Sequence, residues 1–330
     1  MAIVVMDGFD YYSSSYKIST LYSGNSLSSV VTYETGRYGG QSIKFAVSSY
    51  FQPTFAATDT ISFGVNYQLH PVTLGGDLVA SFWSGATQIL SLFGKTDGSL
   101  VLVRGTTVGT NVLATTAPGV MLSSTDVWHH LGMELTRHAS AGAATIYVDG
   151  VAVATATGIN TGATAIDSIR LYGNGSYVDD MYITNTATWL GESRISTLKM
   201  TADTAQADST PSTGTDRFAC IDETTVNTDT DYVSLDTAGD YDRYTVADLG
   251  YTPNIIHAIQ TVMIARKDDV ATRTIRSKVK SSSTTGNGAT KACSSAYSSF
   301  RDIFATDPAT GLAWDTAGIN AMEVGIEVVV

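Results

Sequence analysis

The side chains in this chain that could do chemistry are carboxylates, histidines and loop aromatics, and their spacing decides which chemistry is open. Glycosidic bond hydrolysis needs two carboxylates about 5 to 10 Å apart across the scissile bond. The glutamates before residue 191 are Glu34 and Glu134, and neither has an acid two residues on. Asp179 and Asp180 are adjacent, and neighbours on a regular strand point to opposite faces, so they cannot substitute as a pair. Asp179 instead shares a face with Met181 and Ile183, and a carboxylate on an apolar face needs a partner. A calcium ion would serve, and so would backbone amides of the adjoining turn. His129 and His130 are excluded as a metal pair by the same alternation. The other histidines, at positions 70, 138 and 257, have no spacing to a serine or cysteine that suggests a nucleophile, and there is no Gly-x-Ser-x-Gly. The expectation is therefore no catalytic, metal or cofactor-binding residues.

Binding chemistry is harder to dismiss. Tyr172, Asn174 and Tyr177 surround one predicted loop, and Tyr11, Tyr12 and Tyr16 cluster near the start. The first group is the candidate ligand-binding site, although tyrosine is also an ordinary sheet residue. Gly173-Asn174-Gly175 reads as a hairpin turn rather than a phosphate loop. Arg276, Lys278 and Lys280 alternate with Ile275, Ser277 and Val279. That pattern predicts the charged face of an edge strand, free to meet an acidic neighbour such as the 192–248 region of another subunit.

The elements that must position these residues are strands. Trp128 to Thr136 alternates, with His129, Leu131, Met133 and Leu135 on one face and His130, Gly132 and Glu134 on the other. Asp149-Gly150 predicts a tight hairpin with positive φ at both central residues. Asp97-Gly98 predicts another, joining Ile89–Phe93 to Leu100–Val103. Gly8 to Tyr12 is expected to open the first domain as a strand paired near Tyr182. A boundary is predicted near residue 191, followed by an extended loop or linker from Thr201 to Asp216. Strands are expected over Phe218–Ile221, Ile255–Ala265, Thr274–Lys280, Ala296–Ile303 and Met322–Val330, with one short helix over Asp315–Ala321. The fold class expected is all-β: two antiparallel β-sandwich (jelly-roll-like) domains, 1–191 and a smaller 192–330.

Composition agrees with that class and narrows the partners. The chain has 330 residues, 15% of them charged and 43% hydrophobic, with a formal charge of −12. Residues 1–191 carry 12 acids against 7 bases, and 192–330 carry 19 against 12. Such a surface repels phosphate backbones and argues against nucleic acid. No apolar run of about 18 residues is present, so no membrane insertion is expected. The start, Met1 to Asp7, lacks the basic region of a signal peptide. Cys220 and Cys293 are far apart, which favours free thiols over a disulfide. The apolar end Val328-Val329-Val330 would make a poor free edge, so a homo-oligomer is expected.

The order Trp128-His129-His130, strand, Tyr147-Val148-Asp149-Gly150, strand, Ile166-Asp167-Ser168-Ile169-Arg170-Leu171-Tyr172-Gly173 resembles the laminin-G-like, concanavalin-type β-sandwich family. Gly39–Phe45 and Thr60–Val65 resemble its early strands, and the resemblance covers roughly residues 1–190. Tyr177–Ile183 looks like the version in bacteriophage virion proteins. Trp189–Glu192, Thr210–Thr215, Ala265–Asp269 and Thr306–Gly311 followed by Trp314 resemble the carboxyl-terminal region of phage structural proteins. The family hosts lectins, glycanases and plain structural modules, so the fold alone does not choose among them. Its glucanases use Glu-x-Asp-x-x-Glu, which this chain lacks, and it often carries a calcium ion. The resemblance implies a non-enzymatic virion structural protein, assembled in the host cytoplasm with itself and other virion proteins. A tail fibre or tail-associated component reading host-surface carbohydrate is the leading placement, with a capsid-decorating or head-fibre protein as the alternative and a polysaccharide depolymerase as a remote one.

Overall fold

The computed structural model describes residues 2–12, 21–25, 32–45, 49–68, 77–121, 127–173, 175–223 and 227–330. The chain divides into two units, the first running to Ile195 and the second from Ser196, with Tyr11 and Tyr12 grouped with the second. His70, Tyr16 and Asn174 lie outside the described residues.

In chain order the strands of the first unit are β1 (Ile3–Asp7), β2 (Ser23–Asn25), β3 (Thr32–Thr35), β4 (Gln41–Lys44), β5 (Tyr50–Gln52), β6 (Thr54–Thr58), β7 (Thr60–Gln68) and β8 (Asp77–Ser84). They continue as β9 (Thr87–Gly94), β10 (Leu100–Arg104), β11 (Val112–Thr115), β12 (Trp128–Thr136), β13 (Gly142–Val148), β14 (Val151–Ile159), β15 (Ile166–Tyr172) and β16 (Tyr177–Thr184). One sheet has the order β14-β13-β12-β7-β16-β4-β3, with β1 also on β16; the other has β11-β10-β9-β8-β15-β5-β2, with β6 also on β15. The inner faces meet in a core of Ile61, Phe63, Val65, Leu131, Met133 and Leu135 from the first sheet and Phe51, Phe82, Leu90, Leu92, Ile169 and Leu171 from the second. Phe63 and Phe82 bridge the layers with ring centroids 6.0 Å apart. Asp149 and Gly150 both have positive φ, as the hairpin requires. The opening strand is Ile3–Asp7, paired Asp7 to Met181, whereas Gly8 to Tyr12 has left the sheet; the positive φ of Phe9 turns the chain away.

The outer face of the first sheet is not left to water. Residues 185–195 run back over it as a strap and take the boundary past 191. Ser62 donates to Thr188 O, Leu190 N to the Tyr182 hydroxyl, and Tyr182 to Gly191 O. Trp189 N donates to Glu134, and the indole stacks on Tyr147 at 4.2 Å and 14°. The stack depends on one row across four strands, in which Tyr147 faces Gly132, Gly132 faces Gly64 and Gly64 faces Tyr182. The paired glycines form a trough between two tyrosines. A Cβ on Gly132 would lie 2.1 Å from Trp189 Nε1, and one on Gly64 would lie 2.4 Å from the Tyr182 ring.

The second unit has β17 (Met200–Ala207), β18 (Thr210–Pro211), β19 (Val233–Ser234), β20 (Tyr241–Val246), β21 (Ile259–Ala265), β22 (Thr274–Ser281), β23 (Thr284–Asn287), β24 (Lys291–Ala292), β25 (Ser298–Phe304), α1 (Thr316–Asn320) and β26 (Glu323–Val328). A six-stranded sheet, β17-β20-β26-β22-β23 with β24 on β22, is joined by two-stranded β18–β19 and β21–β25. Val246, Val279, Trp314, Ile319, Met322 and Val324 form its core. Asp315 caps α1 by accepting from Gly318 N.

Three expectations are corrected in this unit. The Thr201–Asp216 stretch is no linker, because its first half is edge strand β17, paired with β20. Phe218–Cys220 is a turn of 3-10 helix rather than a strand, since the Asp203 carboxylate accepts from the amides of Arg217 and Phe218 and fixes a helical start there. The C-terminal valines do not form a free edge. Val328 pairs with Ile275, and Val329 N donates to Thr274 O, so that support for a homo-oligomer falls away. Both cysteines are free.

The trough makes a direct prediction. Gly132→Ala should cost about 1–3 kcal/mol of stability by overpacking and lift Trp189 off Tyr147. Chemical denaturation and the rate of proteolytic nicking within 185–195 measure the two effects; unchanged nicking would show that the strap does not depend on the glycines.

Candidate functional site

Two polar surfaces carry chemistry-bearing side chains, one on the outer face of each sheet. On the first sheet, the strap covers a closed network. Arg37 Nη1 donates to Asn66 Oδ1 at 2.7 Å, and His130 Nδ1 lies 2.8 Å from the same oxygen. Asn66 can accept from both, which places the imidazole proton on Nδ1. Asn66 Nδ2 donates to Asp180 Oδ2, and Ile195 N to Asp180 Oδ1. Asp179 accepts from Arg37 N and from Asp180 N. Glu192 of the strap pairs with Arg37 Nη2 at 2.6 Å and accepts from Tyr38.

The two aspartates are therefore brought together, against the expectation from strand alternation. A bulge between Asp179 and Tyr182 interrupts the register with β7, and Asp180 has φ +48°. Both carboxyls are buried. Burial pushes both up from the ordinary carboxylate range, and for Asp179 the charge of Asp180 adds to the effect. Burial, reinforced by the Arg37 charge, pushes His130 down to about 4. Of the two partners open to Asp179, calcium or backbone amides, the amides are present: Arg37 N and Asp180 N each donate to one of its oxygens. Among the described residues no group of three or more His, Cys, Asp or Glu is placed to hold a metal ion.

The remaining carboxylates do not form a hydrolytic pair. Glu134 accepts from Tyr147 and Trp189 N under the strap. Glu34 lies on β3, four strands from β12 in the sheet order, or roughly 19 Å at ordinary strand spacing. His129 Nδ1 pairs with Asp149 at 2.6 Å, and Asp149 also accepts from His130 N, so this aspartate ties the hairpin turn back to β12.

The second surface lies on the outer face of the other sheet. Arg170 on β15 stands opposite Ser81 on β8, Ser168 opposite Trp83, and Tyr172 opposite Tyr50 on β5. Alternation puts these side chains on the face away from the core. The guanidinium carbon of Arg170 lies 3.5 Å from the Trp83 ring centroid and 4.4 Å from that of Tyr50, one from each neighbouring strand. Its Nε donates to Gln52 Oε1, and Gln52 Nε2 donates to Ser168. Trp83 Nε1 donates to Ser81 Oγ, and Gln88 Nε2 to Ser91 Oγ. Ser81, Ser91 and Ser168 form a buried floor. Tyr50, Gln52, Trp83, Gln88 and Arg170 lie half-exposed above it. The result is an aromatic and polar patch in which hydrogen bonds fix Gln52, Trp83, Gln88 and Arg170, with Tyr50 against the guanidinium.

The residues singled out from the sequence fall only partly here. Tyr172 is on the correct face but buried, with its hydroxyl 3.3 Å from Ser81 Oγ and its ring 5.3 Å from that of Tyr50. Tyr177 belongs to the other sheet, where Lys44 lies 4.9 Å over its ring. The loop cluster expected of them is thus not formed by these two, and Asn174 is outside the described residues. The Tyr11 and Tyr12 rings lie 4.6 Å apart, tilted by 32°, and both hydroxyls accept from Arg301 Nη2 within the second unit. The basic stripe is no edge. Strand β22 lies between β26 and β23. Arg276 and Lys278 pair with Glu327, and Lys280 and Arg243 with Glu323.

No protein-family model and no curated protein matches the sequence. Among solved structures, domain 4 of a GH43 extracellular arabinanase from Geobacillus stearothermophilus, in complex with arabinotriose, is 16% identical with a TM-score of 0.37, over 51% of this chain and 82% of that one. The Ruminococcus gnavus IT-sialidase CBM40 is 11% identical with a TM-score of 0.34, over 45% and 91%. The Emp46p carbohydrate recognition domain, in its potassium-bound form, is 8% identical with a TM-score of 0.33, over 54% and 100%.

The buried network sets a pH dependence. Asp179 and Asp180 hold protons more tightly in the folded state, so the stability they contribute is complete below the ordinary carboxylate range and is lost as pH rises through their raised values. His130 acts oppositely: its contribution is complete above the ordinary value of 6.5 and is lost as pH falls toward about 4. Above pH 6.5 the decline belongs to the aspartates, at up to about 1.4 kcal/mol per pH unit for one proton released. The melting temperature should fall from pH 6.5 to 9, and Asp179→Asn should flatten the fall while lowering stability throughout, because an amide nitrogen cannot accept the bond it replaces. A flat wild-type profile would contradict the raised values.

Proposed function

We propose that this chain is a non-enzymatic, glycan-binding structural component of a bacteriophage particle, with the outer face of the β8-β15-β5 sheet as its reading surface. The observation that carries the glycan reading is the patch of Tyr50, Gln52, Trp83, Gln88 and Arg170 held half-exposed on one sheet face. A sugar ring presents an apolar C–H face and a rim of hydroxyls. Flat aromatic rings match the first, and fixed amide and guanidinium groups match the second. The non-catalytic part rests on the separation of Glu34 from Glu134 and on the burial of Asp179 and Asp180 beneath the strap. The placement in a virion, at the tail or its fibres, rests on the sequence resemblance set out above.

Binding to a panel of bacterial surface polysaccharides tests the reading. The wild type should bind at least one of them, and Trp83→Ala and Tyr50→Ala should each weaken that binding about tenfold or more, as expected for loss of an anchoring aromatic. Tyr177→Ala, on the other sheet, should leave it unchanged. Absence of binding across the panel would overturn the glycan reading. Antibody labelling of phage particles in the electron microscope tests the placement, and label confined to the head would replace the tail with the capsid.

A further inference from the structure

Among the described residues the cation of the patch, Arg170, has no counter-ion. No carboxylate among them forms a salt bridge with it, and the hydrogen bond it makes there runs from Nε to Gln52. A guanidinium has five N–H donors in one plane. The Trp83 and Tyr50 rings lie against the guanidinium carbon, and among the described residues no hydrogen bond uses Nη1 or Nη2. Neither nitrogen is among the buried side-chain atoms that lack a partner, so both reach solvent. The fork is thus fixed in orientation by Gln52, supported by two rings, and open at its donor edge.

We propose that Arg170 is a specificity residue for a carboxylate carried on the bound glycan, so that the ligand class is an acidic polysaccharide such as a polyuronate. The charge argument is specific to this position. The chain carries a formal charge of −12, and an anionic ligand must overcome that field. A positioned fork offers it two parallel charge-assisted hydrogen bonds. Carboxylate is planar and matches the fork edge to edge, while the sugar ring bearing it lies within reach of the Trp83 and Tyr50 rings. Gln52 acts through Arg170, as a positioning residue that sets the plane of the guanidinium.

This inference rests on the glycan reading of the same surface, and the experiment separates the two. Polygalacturonate, alginate and hyaluronan are each assayed by affinity electrophoresis beside their carboxyl-reduced forms, with the full chain. Retardation by at least one acidic polymer and about tenfold or greater weakening on its reduction are expected. Arg170→Gln should lose the acidic preference, and Arg170→Lys should recover little of it, because a point charge cannot replace the bidentate fork. Unchanged melting temperatures in both variants keep the comparison valid. If they melt early, Gln52→Ala in the folded chain should still reduce the preference for acid over reduced polymer. Equal binding of acidic and reduced polymers, or binding to neutral polysaccharides alone, would overturn the inference and leave the glycan reading standing. Absence of binding to every acidic, reduced and neutral polymer would overturn both.

Discussion

Much of the first unit depends on two hydrogen atoms standing where side chains would be. Gly64 and Gly132 face each other across β7 and β12, and the absence of their Cβ atoms leaves room for Tyr182 and Trp189. With the trough open, the strap descends far enough for Trp189 N to reach Glu134 and for Ile195 N to reach Asp180. What would have been a half-wet sheet face becomes a second buried layer, polar in composition and closed by hydrogen bonds. A buried polar layer is stable only if its members are satisfied, and here Arg37, Asn66, Asp179, Asp180 and Glu192 supply one another. The His130 Nε2 and Trp189 Nε1 atoms, both buried and without hydrogen-bond partners among the described residues, are exceptions in that layer.

The sequence made the inner faces legible and the outer ones much less so. Leu131, Met133 and Leu135 announced the core side of β12 because burial on one side imposes a period of two. The other side of the same strand, His130-x-Gly132-x-Glu134, looks solvent-facing in the same pattern. Nothing local says that a segment about fifty residues later will cover it. The bulge at Asp180 was hidden for a related reason. A single positive φ reverses the facing of every residue after it, and an aspartate tolerates that conformation without a glycine to mark the place. In the second unit, the Thr- and Asp-rich stretch read as a linker became β17 because pairing with β20 outweighs weak composition.

The candidate surface was half visible for the same cause. Ser168, Arg170 and Tyr172 alternate within one recognised segment, so their common face could be read directly. Their neighbours Trp83 and Tyr50 come from strands about 90 and 120 residues earlier, and only the sheet order places them beside Arg170. Proximity in sequence favoured Tyr172 with Tyr177, yet the turn between them carries the chain from one sheet to the other. Residues on either side of such a crossover are near neighbours along the chain and belong to different surfaces.

The two cationic regions differ in how much of their charge is already paired. On the second unit's sheet, Arg243, Arg276, Lys278 and Lys280 form the denser patch of positive charge. Glu323 and Glu327 on the intervening strand each take two of them, and Tyr241 lies 4.6 Å from Lys278. An anion arriving there must displace bonds already made, and the gain is the difference between two similar interactions. Arg170 presents the opposite balance. The Trp83 and Tyr50 rings and the Gln52 bond fix its position, no carboxylate among the described residues pairs with it, and its outward donors would lose only water to an anion. An arriving anion gains more from a cation whose orientation is settled and whose donors are unspent than from one already paired.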